Sequence, residues 1–200
     1  MSQTRVRLQL TRVLAVIVLI VFASGTTIWS IVNPVVEELL FFAGIALAGF
    51  GAAGRAWATS FISGNKSANL VTTGPYSLCR NPLYLFSWMI GVGVGFCTET
   101  FTAPVVVGIV LLLLYHFQIK REELHLSQKF GPAYESYLAT IPRFIPSFRS
   151  FSEPDFIRVS PRVMKKAFFG IAFLLLLIGV VELFEVSHQS GMVPALFSVY

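Results

Sequence analysis

Charged side chains are scarce in this chain: Asp, Glu, Lys and Arg make up 12% of its 200 residues, whereas 55% are hydrophobic. A soluble domain averages roughly 25% charged residues, and a mean hydropathy of +0.73 excludes that class in favour of a membrane protein. Cysteine is rarer still, and the two present cannot build a disulfide framework. Cys79 and Cys97 stand at opposite ends of one expected helix, roughly 27 Å apart at about 1.5 Å per residue, beyond the reach of a bridge. Of the three histidines only His116 and His125 fall near the polar stretches. Zinc needs three or four converging ligands, and no Cys/His spacing supplies them, so no metal is expected. A Ser-His-Asp arrangement and a phosphate-cradling glycine loop are also lacking. Gly91, Gly93 and Gly95 spell GVGVG, yet no strand precedes them and the run is apolar. They suit helix packing better than a dinucleotide fingerprint. Basic residues give a net charge of +5, but they flank apolar runs and form no separate arm. They therefore speak to membrane topology and not to nucleic acid.

The apolar residues gather into five runs, 13–32, 39–58, 82–97, 101–119 and 167–181. Crossing a bilayer takes roughly 20 helical residues, so the expected fold is all-α and integral to the membrane. One domain over 1–200 is expected to form a five-helix transmembrane bundle with a polar cap on one face. Arg5, Arg7 and Arg12 precede the first run without an acidic residue. A secretory leader has the same charge order, with Phe22-Ala23-Ser24 as a poor cleavage site. The run continues to Val32, which favours a retained helix. In the second run Gly44, Ala48, Ala52 and Ala56 recur every four positions, a stripe suited to close helix contact. The third run is short, and Thr98-Glu99-Thr100 turns it into the fourth as a helical hairpin.

The 15 Lys and Arg are read at the N-terminus, between the second and third runs, and between the fourth and fifth. Glu37, Glu38, Glu99, Glu182 and Glu185 fall on the other side. The positive-inside rule then puts the N-terminus in the cytoplasm and the C-terminus outside. Two polar stretches, 70–84 and 120–146, share the cytoplasmic face and are expected to meet there.

In the first stretch Gly74 permits positive φ, and Pro82 starts a helix while holding Asn81 extended. That turn aims Arg80 and Asn81 at one point. Taken singly, Arg80 also reads as a positive-inside anchor and Tyr84 as an interfacial aromatic. In the second stretch Glu122 and Glu123 follow the fourth run directly. They read either as local partners of Lys120 and Arg121 or as the counter-charge of a cationic ligand.

LVTTGPYSLCRNPLYL and REELHLSQKFGPAYESYLATIPRFIP, separated by a helical hairpin, together resemble the isoprenylcysteine carboxyl methyltransferase family and its bacterial and archaeal relatives. They are similar, more loosely, to membrane phospholipid N-methyltransferases. The likeness covers residues 70–146. It implies an enzyme that binds S-adenosylmethionine and releases S-adenosylhomocysteine, with Val71, Gly74, Tyr76, Asn81, Tyr84, Glu122 and Glu123 at the cofactor. It leaves Gly91 and Gly93 as weaker candidates, by likeness to the phospholipid enzymes. Arg80 or Arg143 would orient the acceptor, a lipid-like or prenylated molecule drawn from the membrane, with a carboxylate as one candidate methylation site. Phospholipid headgroup N-methylation is the alternative activity, and a non-catalytic membrane adaptor on the same scaffold is the alternative class. Asn81 departs from the family, which usually has His there. An amide can donate and accept hydrogen bonds but cannot become cationic.

Overall fold

The computed structural model describes residues 25–63, 69–192 and 197–199. Its helices are α1 (Trp29–Val32), α2 (Pro34–Ser63), α3 (Pro75–Leu78), α4 (Pro82–Phe96), α5 (Thr102–Phe130), α6 (Pro132–Thr140) and α7 (Pro161–Gln189), with a 3-10 turn at Phe148–Ser150. Proline occupies the first position of α2, α3, α4, α6 and α7. At that position the missing N–H costs nothing and φ is already helical. Asn33 Oδ1 accepts the Val35 amide at 3.1 Å at the start of α2, and Thr100 Oγ1 accepts the Ala103 amide at 3.2 Å at the start of α5.

Among the described residues three helices are long and apolar enough to cross a membrane: Pro34–Ser63, Thr102–Phe130 and Pro161–His188. The third expected run becomes α4, whose 15 residues span only about 22 Å against a hydrocarbon core of about 30 Å. The expected first span falls largely outside the described residues. From residue 25 onward it is not one helix, because a strand at Gly25–Thr27 precedes the single turn of α1. Arg55 also departs from the reading that placed every basic residue in flanking segments. It lies inside α2.

The α2–α4 pair is the most extensive helix contact, and small residues make it so. A Cβ on Gly93 would come within 2.5 Å of the Ala48 backbone N, and one on Gly44 within 2.7 Å of Gly93 O. The two backbones touch where side chains would stand, which is the packing that the four-residue stripe implied. Ala48, Ala52 and Cys97 then meet Leu174 and Ile178 of α7 in one apolar cluster. Phe42, Phe50, Phe168 and Phe169 are exposed on the outer faces. Surface of that kind suits a hydrocarbon solvent and not water.

At one end of the bundle Gly25–Thr27 (β1) pairs in parallel with Phe197–Val199 (β2), a small exception to the all-α expectation. Thr27 Oγ1 donates to Glu99 O at 2.8 Å, so this strand touches the α4–α5 turn. Burial, followed by hydrogen bonding and charge from Glu37 and by the charges of Glu185 and Glu182, pushes Glu99 up to about 9.

Candidate active site

At the opposite end the two polar stretches are stitched together by their backbones. Arg80 N donates to Pro142 O at 2.8 Å, Ser147 N to Leu78 O at 2.9 Å, and Gly74 N to Ser152 O at 2.7 Å. One strand of chain descends as the other ascends, so 74–80 and 142–152 run antiparallel. Gly74 makes the turn possible: its φ is +61°, and a Cβ there would strike the Phe61 ring at 2.3 Å. Its role is therefore the turn and that close approach. Val71 lies half-buried on the way into the turn.

The α4 start and the α5 extension carry the charged residues into one clasp. Helix α5 continues as far as Phe130, well past the expected span end at 119, and this extra length holds Glu122 and Glu123 over the turn. Arg143 grips Glu123 with two parallel hydrogen bonds, Nε to Oε1 at 3.1 Å and Nη2 to Oε2 at 2.6 Å. Such a fork is the strong form of a guanidinium–carboxylate contact. Arg80 Nη1 adds a second cation at 3.5 Å from Glu123 Oε1. Asn81 is 7% exposed, and its amide donates to Arg143 O at 3.1 Å and, more weakly, to Glu123 Oε1 at 3.4 Å. Glu123 thus has its acceptor sites engaged within the fold. Glu122, its neighbour, is exposed and takes a hydrogen bond from the Tyr84 hydroxyl at 2.9 Å.

Two buried polar atoms in the clasp find no partner, the Tyr76 hydroxyl and Arg80 Nε. Burial raises the Tyr76 hydroxyl far above the ordinary tyrosine range, with Glu122 adding to it, so Tyr76 is a neutral donor at any physiological pH. Buried unpaired donors are costly, and their presence here fits a site shaped for a polar ligand. The charges also have a direction. Arg80, Arg143 and Glu123 together carry one net positive charge, with the negative Glu122 beside them.

A cavity of about 780 Å³ opens between α2, α4, α5 and α7. Its walls are mostly apolar, with Arg55, Ser87, Tyr115 and Lys166 among the exceptions and Thr98 lining it at the α4–α5 turn. Tyr115 packs edge-on against Tyr84 with centroids 5.1 Å apart, which joins the cavity to the Glu122 pole. Arg55 donates to the Ser87 hydroxyl. Sequence reading missed both the cavity and Arg55, although one Arg inside an apolar helix is a signal in itself. It also gave no role to Tyr137, whose hydroxyl donates to Tyr76 O at 2.7 Å, nor to Ser77, buried and bonded to Gly74 O at 2.6 Å. His116 and His125 are exposed on α5.

Residues 40–133 match the family model described as phospholipid methyltransferase. The nickel-cobalt-cadmium resistance protein NccN of Alcaligenes xylosoxydans xylosoxydans is 35% identical over 148 residues, 74% of this chain and 68% of that protein. The cobalt-zinc-cadmium resistance protein CzcN of Cupriavidus metallidurans is 30% identical over 196 residues, 98% of this chain and 89% of that protein. Protein-S-isoprenylcysteine O-methyltransferase of Schizosaccharomyces pombe is 32% identical over 82 residues, 41% of this chain and 35% of that protein. No solved structure matches the chain. With CzcN aligned along nearly its whole length and isoprenylcysteine and phospholipid methyltransferases among its matches, the chain belongs to the isoprenylcysteine methyltransferase-like family of membrane proteins that includes NccN and CzcN.

Proposed function

We propose that the protein transfers a methyl group from S-adenosylmethionine to an apolar, membrane-resident acceptor. The observation that carries this reading is the polarity of the clasp. An amino-acid zwitterion needs a carboxylate for its ammonium and a cation for its carboxylate, and Glu122 stands beside the Arg80–Arg143 pair in that relation. Tyr76 and Asn81 supply neutral polar groups around it, and Glu123 holds the two arginines in place. When bound, the cofactor would supply an electrophilic methyl group, with Glu122 at its ammonium and an arginine of the clasp at its carboxylate.

What the chain contributes is positioning and the exclusion of water. The cavity leads from the lipid-facing helices to Tyr115 and Tyr84. A volume of about 780 Å³ lies within the ordinary range for a small-molecule site, roughly 300–1,000 Å³. A carboxylate acceptor needs no general base, which accords with an amide at Asn81 where the family usually has an imidazole. Of Arg80 and Arg143, the one that does not meet the cofactor's carboxylate would orient such an acceptor. Phospholipid headgroup methylation remains the second reading because the matched family model bears that description. The site then faces the cytoplasm, with five spans, the N-terminus inside and the C-terminus outside. Two relatives are named for resistance to nickel, cobalt, zinc and cadmium, so acceptors are sought first in membranes of cells grown with these metals.

Calorimetric titration of the detergent-purified protein with S-adenosylhomocysteine tests the cofactor half. Saturable binding that weakens in Glu122→Gln supports it, and no binding by a folded protein overturns it. Labelled methyl transfer into a lipid extract, followed by identification of the product, separates a methyl ester from a methylated amine.

A further inference from the structure

The end of the bundle opposite the clasp carries a second constellation that methyl transfer does not use. Glu37 from α2, Glu99 from the α4–α5 turn and Glu185 from α7 each present a carboxylate oxygen, and these oxygens lie within 4.8 Å of one another. Three segments far apart in sequence converge there. Glu99 is 6% exposed, and its Oε2 is buried with no hydrogen-bond partner. A buried carboxylate oxygen without a donor is expensive unless a shared proton or a cation compensates its group. Glu182 Oε2 and His188 Nδ1 are likewise buried without a partner. They stand three residues before and after Glu185, which places all three on one side of α7. Ionised carboxylates only accept, and an imidazole nitrogen can also act as a ligand. None of the 15 Lys and Arg falls in 25–54, 81–119 or 167–200, the stretches that hold these acids.

We propose that Glu37, Glu99 and Glu185 form a divalent-cation site at this end of the bundle, with Glu182 and His188 beside it. Oxygens on opposite sides of an ion bound at roughly 2.1–2.4 Å stand about 4.2–4.8 Å apart, so the observed spread needs little adjustment. Carboxylate oxygens suit Mg²⁺, Ca²⁺ and Mn²⁺, and waters would complete the shell. Such an ion would tie α2, α7 and the α4–α5 turn together. The inference stands apart from the methyl-transfer reading and survives its failure.

The test uses the full chain in detergent, stripped with chelator and titrated with MnCl₂. Free Mn²⁺ is followed by electron paramagnetic resonance and the melting midpoint is recorded in parallel. The expected result is one saturable Mn²⁺ per chain, with a midpoint that climbs with metal concentration. Uptake should weaken at least tenfold in Glu99→Gln and in Glu185→Gln, and should persist in Glu122→Gln, which alters the other end. Circular dichroism confirms that each variant is folded. Should either fail to fold, Glu37→Gln at its half-buried position takes its place. No saturable uptake by folded wild-type protein at millimolar Mn²⁺ overturns the proposal and leaves a carboxyl cluster held by shared protons. Uptake that survives in the variants of this cluster, or that is lost only in Glu122→Gln, overturns it as well.

Discussion

Replacing Glu123 with Gln keeps the side chain's shape and removes the charge that holds two guanidiniums. Charge-assisted hydrogen bonds contribute about 1.5–3 kcal/mol. The Arg143 side chain is 36% exposed and that of Glu123 15%, so solvent screening moves the figure to the lower part, about 1.5–2 kcal/mol. For a chain of this length each kcal/mol lowers the melting midpoint by about 2–4 °C, so the variant should melt about 3–8 °C below wild type. A double-mutant cycle with Arg143→Gln isolates the pair itself, and a coupling above about 1 kcal/mol is expected. Thermal and denaturant unfolding in one detergent supply the numbers. An unchanged midpoint and zero coupling, together with lost S-adenosylhomocysteine binding, would refute the reasoning. Glu123 would then be a ligand of the cofactor and not the architectural centre of the clasp.

Further predictions follow from the same geometry. Glu122→Gln should shift stability by less than about 1 kcal/mol, since it only removes the charge from the acceptor of one exposed hydrogen bond, yet weaken S-adenosylhomocysteine binding at least tenfold by calorimetry. Gly93→Ala forces a Cβ to within 2.5 Å of the Ala48 N and should cost about 1–3 kcal/mol in denaturant unfolding. Burial pushes the Cys79 thiol up to about 11, and a thiol is reactive only as thiolate. Its labelling by iodoacetamide at pH 8 should therefore be negligible until the protein unfolds, and should rise only as pH approaches that value; mass spectrometry counts the adducts. Arg55→Leu should leave S-adenosylhomocysteine affinity within about twofold while lowering methyl transfer at subsaturating acceptor, because Arg55 lines the cavity and not the clasp. Equal losses in both assays would remove that distinction.

Several site residues were legible because their signals are local. Gly74-Pro75 and Asn81-Pro82 declare a turn and a helix start by backbone sterics alone, and α3 and α4 begin there. The small-residue stripe was legible for the same kind of reason, since a four-residue period fixes one helix face. Glu122 and Glu123 are different. Adjacent, identical and both after one apolar run, they look interchangeable in sequence, and only the approach of Arg143 and Arg80 gives Glu123 two cations and leaves Glu122 to Tyr84. Ser152 and Tyr137 carried no signal for their contacts with Gly74 and Tyr76, because backbone carbonyls are acceptors at every position.

By itself the sequence determined that this is an integral membrane chain and which segments lie in apolar surroundings, because run length and hydropathy meet a bilayer whose thickness is fixed. It also determined the motif order that carries the family likeness. Tertiary structure decided where the long helices end, which carboxylate faces which arginine, that a cavity separates four helices, and that Glu37, Glu99 and Glu185 meet. Each of these depends on the relative placement of elements distant along the chain. No local periodicity encodes such placement, and it is reached only when backbones as close as those at Gly44 and Gly93 lock together.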